Sequence, residues 1–279
     1  MQATATSRGQ RERNECARAR AIIRFNGLLF HGLAAASFLE SAAPLYANRL
    51  SHVFAAHPDV GLWLEQVWWP QRAEHGGLLR GYIEATWPEF DWSAGYGEFY
   101  EACRPRFERV EPRTSLALEA LGRCATEAQA AVFYRALANS ADDAALRALA
   151  REAARDHAGY FDHFRSIFER CERREHISLA ATFRTVLERS RSAREVEVAA
   201  AFEPIGRHWY GSRPFPELGY REFVERMAQL VQRHAALGRF EQWLFRPWLR
   251  RGSSAPALQS ASEGTVRWLA PAPQLKAAA

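Results

Sequence analysis

Glu40, His75, Glu127 and His157 are the residues of this chain with the most chemistry to offer. Each falls within an apolar stripe at i, i+3, i+4 spacing, where a helix should face a dry core. Phe30, Leu33, Ala47 and Phe54 share the stripe of Glu40. Trp68, Arg72, Leu79 and Tyr82 share that of His75. Leu116, Ala120, Ala131 and Tyr134 line up with Glu127, and Leu149, Ala153, Tyr160 and Phe164 with His157. A buried carboxylate is costly unless it is paired, hydrogen-bonded or bound to a metal. Two glutamates and two histidines at one level are the donor set of a metal site inside a helix bundle. The positions three residues before the two histidines are Arg72 and Ala154, which cannot bind a metal.

The four residues must be brought together by two helical hairpins. Glu40 lies 18 residues before Pro58 and His75 lies 17 after it; Glu127 lies 14 before Ala141 and His157 lies 16 after it. At ~1.5 Å rise per residue, each pair matches in depth to within about one turn. Punctuation elsewhere is sparse, and no alternating run with turn signals suggests a sheet. The pattern predicts an all-α chain: a helix ending near Ala56, one over 60–86, an irregular crossover over 88–113 with Pro88, Pro105 and Pro112, and helices over 114–139 and 142–173. Two short loops and one long connection describe a four-helix bundle with a single crossover over 15–174. Asp59 is the expected N-cap of the second helix and Ser140 or Asp142 that of the fourth. Pro44 should displace the carbonyl of Glu40 and kink the first helix where the candidate ligand sits. Helices near 175–190, 194–209, 217–236 and 238–248 make a C-terminal extension over 175–251, packed on the bundle or on a partner such as a second copy of the chain. Residues 1–14 and 252–279 read as disordered.

Composition narrows the function classes. Apolar residues make up 48% of the 279, enough for a sizeable core. The net charge of +5 is concentrated at the ends, since residues 1–20 hold five Arg against two Glu. No dense basic face of the kind that binds nucleic acid is visible. Cys16, Cys103, Cys124 and Cys171 include no C-x-x-C pair and read as free thiols of a cytoplasmic protein. No apolar run reaches the ~18 residues of a membrane span. The nearest, Ala21 to Leu39, contains Arg24, Asn26 and His31.

The motifs resemble the ferritin-like superfamily of di-iron carboxylate proteins, and within it bacterial proteins described as ferritin-like domain-containing. Trp68 through His75-Gly76, with Leu79 and Tyr82, is similar to that family's second helix, W-x-x-E-E-x-x-H-G. Glu127 with Phe133-Tyr134 is similar to the third, E-x-x-x-x-x-F-Y. Asp156-His157 with Phe161-Asp162-His163 is similar to the fourth, E-x-x-H with a downstream aromatic and Asp. The resemblance covers roughly 25–250. It implies iron held by Glu40, His75, Glu127 and His157, with Tyr134 and Tyr160 supporting them, and oxidase-type chemistry on a small organic substrate. Arg72 and Ala154 stand where the family has its two bridging glutamates. Glu74 and Asp156 sit one residue from each histidine, about 100° around the helix, and do not substitute in register.

Three readings follow from these replacements. A metal-free descendant, with Arg72 paired to Glu40 and Glu127, is favoured over a single ion held by the four residues, and that over an intact di-iron centre. The function classes are then a binding or scaffolding protein, or a non-haem iron oxidoreductase. His163, His176 and His208 fit packing or surface roles, as does the run Arg207-His208-Trp209-Tyr210. Arg18 and Arg20 fit a solvated N-terminus better than a membrane surface.

Overall fold

The computed structural model describes residues 18–107 and 115–234. The described residues are all-α, with one isolated antiparallel bridge between Phe90 and Trp209. The expected disordered ends, the 238–248 helix, Cys16 and Pro112 lie outside the described residues.

The first long segment is two helices. Helix α1 (Gly27–Ser41) starts where the Asn26 side chain accepts from the Leu29 amide at 3.0 Å. It breaks at Ala42, and α2 (Ala43–Val53) continues with Pro44 in its first turn. The two axes are bent by 43°. A proline is tolerated in a first turn because its missing N–H would be unpaired there anyway. The expected kink is therefore a full break next to Glu40, and the segment ends at Val53 rather than near Ala56.

A short helix α3 (Pro58–Trp63) runs through a π-turn (Leu64–Trp68) into α4 (Trp69–Thr86). Pro70 lacks the N–H that would close an α-turn onto Gln66, which accounts for the wider turn. Asp59 is not the N-cap. His57 holds that position with no side-chain cap, while Asp59 sits in the first turn and pairs with Arg170 at 2.8 Å.

The stretch expected to be an irregular crossover contains a 16-residue helix, α5 (Trp92–Phe107). Its prolines suggested otherwise, but Pro105 lies in the last turn. Trp92, Phe99 and Cys103 bury one face, and Trp92, Tyr96 and Phe99 surround Phe38 of α1 with ring centroids 5.5–5.7 Å away. Tertiary burial of aromatics outweighs a terminal proline.

Helices α6 (Leu116–Ser140) and α7 (Ala144–Glu175) form the second pair, antiparallel across a three-residue link. The cap of α7 is Asp143, fully buried, which accepts from the Leu146 amide at 2.9 Å, rather than Ser140 or Asp142. The far end of α7 returns the favour: Glu175 accepts from the amides of Leu116 and Ala117 at 3.1 and 3.4 Å. A carboxylate on the N-terminus of α6 complements its dipole. Small residues on α6 (Ala117, Ala120, Ala128, Ala131) let the large ones on α7 (Phe161, Phe164, Phe168) pack close.

Helix α4 packs chiefly on α1 and also meets α2 and α7. Helix α8 (Leu179–Ser192) lies on α6, α9 (Ala199–Arg207) on α5 and α1, and α10 (Tyr220–His234) on α6 and α1. Gly76 of α4 sets the tightest approach. A Cβ added there would meet Ser41 Oγ at 2.4 Å and the Ser41 amide nitrogen at 2.8 Å. Ser37 donates to the Gly76 carbonyl at 3.0 Å across the same contact. No single helix among the described residues is long and apolar enough to cross a membrane; the bent α1–α2 pair reaches that length and composition, and α1 is a largely buried core element.

Candidate functional site

The breaks and close contacts above place polar groups from α1, α4, α6 and α7 around one point in the interior. Glu40, His75, Glu127 and His157 are each no more than 4% exposed. Glu40 comes from the last turn of α1, just before the break. His75 comes from α4, next to the close approach of Gly76. Glu127 and His157 face each other across the α6–α7 pair.

His157 bridges the two carboxylates. Its Nδ1 lies 2.6 Å from Glu127 Oε2 and its Nε2 lies 3.0 Å from Glu40 Oε1. Both ring nitrogens meeting carboxylate oxygens fits an imidazolium, which donates twice. Burial alone would lower its pKa, but Glu40 and Glu127 outweigh this and raise it to about 9. Arg72 enters from one turn before His75. Its Nε donates to Glu40 Oε2 at 2.7 Å, and its NH1 lies 3.9 Å from Glu127 Oε1. Burial pushes the Glu40 carboxyl up, yet the Arg72 and His157 charges hold it far below the usual range. The guanidinium also lies over the Trp68 ring at 4.9 Å.

The remaining carboxylate valences are filled by neighbours. Tyr134 donates to Glu40 Oε1 at 3.1 Å, and the Trp68 indole donates to Glu127 Oε1 at 3.1 Å. Every oxygen of the two glutamates thus has an internal partner, and two negative charges meet two positive ones. Tyr160 packs edge-on against His157 with centroids 5.4 Å apart, and its hydroxyl donates to Gln71 at 2.9 Å. Ala154 is half-buried one turn before His157 and offers no donor.

His75 differs from the rest. Its Nε2 lies 3.0 Å from Asp156 Oδ2, while its Nδ1 is buried and has no hydrogen-bond partner. Glu40, His75 and His157 each offer one ligand atom, all within 4.8 Å of one another. Glu127 does not belong to that triplet; it stands behind His157. Asp156, one residue out of register as a direct substitute for a bridging glutamate, reaches the site through His75.

Because the folded pKa of His157 is raised, its charge contributes stability that is complete below pH 6.5 and is lost as pH rises through about 9. Denaturation midpoints measured from pH 6 to 10 should fall across that window. A level profile would show that His157 is not an imidazolium in the fold.

Sequence reasoning missed a second buried polar cluster. Glu119, 2% exposed, takes Arg49 through both terminal nitrogens at 3.0 and 3.2 Å, Arg123 at 3.2 Å and Arg189 at 2.7 Å. The signal was available: Glu119 and Arg123 lie eight and four residues before Glu127 on the same helix. Other candidates have plain roles. His163 stacks on Trp63 with centroids 3.8 Å apart, and His176 ends α7 in the left-handed region at φ 50°. His208 and Arg207 both meet Glu98, and Tyr210 donates to Asp91 at 2.7 Å, which ties that run to α5. Arg20 reaches Asp143 at 3.5 Å, while Arg18 is exposed. Cys103, Cys124 and Cys171 are buried.

No family model, curated protein or solved structure matches this chain.

Proposed function

We propose that the chain is a ferritin-like four-helix bundle, formed by the α1–α4 and α6–α7 pairs, whose di-iron centre has been replaced by a fixed ion-pair network. It acts as a binding or scaffolding protein and not as a two-metal oxygen activator. The observation that carries this reading is the complete internal pairing of the Glu40 and Glu127 oxygens by Arg72, His157, Tyr134 and Trp68. A two-metal site needs more negative charge than this arrangement supplies, and Arg72 opposes it directly. Protein purified from iron-supplemented cells should hold well under two irons per chain and lack oxo-bridged di-iron absorption. Near-stoichiometric loading with two metals, measured by elemental analysis, would overturn the reading.

The free Nδ1 of His75 favours a second reading, a single divalent ion held by Glu40, His75 and His157. Two imidazoles and one carboxylate suit non-haem iron, which would supply open positions for oxygen or for donor atoms of a small organic substrate. The Asp156 carboxylate on the other ring nitrogen would orient His75, as partners of metal-bound histidines do. One metal per chain, lost in His75→Ala, would place this reading first.

A further inference from the structure

The Glu119 cluster contains more positive charge than its fold requires. Arg49, Arg123 and Arg189 all pair with Glu119, and a second carboxylate, Glu197, acts on the Arg189 charge and accepts from the Tyr46 hydroxyl at 3.0 Å. Among the described residues, one positive charge is left over. Glu119 is saturated, since each of its oxygens already accepts from two guanidinium nitrogens. Each guanidinium carries five N–H donors. Arg123 uses one nitrogen, Nε, on Glu119. Among the described residues its two terminal nitrogens donate to no protein acceptor, although the side chain is only 6% exposed. Its ring contact with Tyr46, at 5.6 Å, satisfies the face of the guanidinium but not its edge.

Arg189 opens this cluster to solvent, being 29% exposed against 14% for Arg49. It reaches inward over Gly122, where an added Cβ would meet Arg189 Cγ and Nε at 2.9 Å. Burial and the neighbouring Arg123 charge both lower its pKa, as expected of a site short of negative charge. The groups come from α2, α6 and α8, so the arrangement is set by the packed fold and not by one loop.

We propose that Arg123 and Arg189, backed by Arg49, bind a small tetrahedral oxyanion, either free phosphate or the phosphate of a monoester. Forked guanidinium N–H pairs match such oxygens, and the leftover charge supplies the attraction. The site is separate from the Glu40 centre and does not depend on whether that centre holds a metal.

The full chain would be titrated calorimetrically with inorganic phosphate and, separately, glycerol phosphate, against sodium chloride of equal ionic strength. Saturable binding of one phosphate per chain is expected, with a melting temperature above that in matched chloride. Tighter binding of glycerol phosphate would assign the monoester as the ligand, and equal or weaker binding would assign the free ion. Arg189→Gln should weaken binding about ten-fold, the loss of one charge-assisted contact. Gly122→Ala should do the same by displacing Arg189. As a readout independent of any variant, phosphate should protect Arg189 from phenylglyoxal in the native protein, followed by mass spectrometry. Identical behaviour in phosphate and chloride, or undiminished labelling of Arg189, would mean that water alone completes the cluster and would overturn the proposal.

Discussion

Arg72→Ala should destabilise the protein by about 3–5 kcal/mol at neutral pH, the range for removing one partner of a buried ion pair. The loss leaves Glu40 Oε2 without a donor and two carboxylates sharing only His157 as a counter-charge. The sign of the pH dependence follows from Glu40. In the intact protein its folded pKa is depressed, so the pairing contributes stability above the unfolded carboxylate range and loses it as pH falls. In the variant, burial without Arg72 raises that pKa, and the acid escapes its penalty by taking a proton. The gap between the two proteins should therefore be widest near pH 7 and narrow as pH drops below about 5. Urea denaturation of both proteins at pH 4 and pH 7 would measure it. A gap that is absent, or the same at both values, would mean that Arg72 does not neutralise these acids.

Arg72→Glu combined with Ala154→Glu should turn the network into a metal site. Both positions lie one turn before a histidine, on the face that carries His75 or His157. The exchange removes one positive charge and adds two carboxylates, making the centre three units more negative. Four clustered acids would repel one another without a cation, so the double variant should be weak when purified with chelator. Iron should restore it, by about 4 kcal/mol at a free concentration a thousand times its Kd. Iron content should rise from well under two toward two per chain. If neither content nor melting temperature responds to ferrous iron, the ferritin-like ancestry of this core is wrong.

The residues gathered in the core were legible because periodicity reports burial directly. A glutamate or histidine within an apolar stripe points inward whatever the fold, and hairpin arithmetic then matched the depths. What escaped was set by neighbours, not by the residue itself. Asp156 is off the buried stripe, and it reaches His75 only because α7 passes beside α4. Trp68 looked like packing until its indole met Glu127. Helix α5 was hidden by prolines, since local propensity carries no information about the aromatic ring that Phe38 assembles around itself. The three arginines on Glu119 belong to helices far apart in sequence, and only Arg123 shares a stripe with it.

Gly76 decides which changes this core can absorb. Its backbone rests against Ser41, one residue from Glu40, while His75 is its own neighbour. The spacing between these two polar groups is therefore held by an atom that is missing. Substitutions at 72 or 154 alter what the centre contains and leave this contact in place. A methyl group at 76 would instead push on the Ser41 backbone and so on the spacing of Glu40 and His75. The close contact at Gly76 sets the frame of this centre, and the side chains at 72 and 154 set its contents.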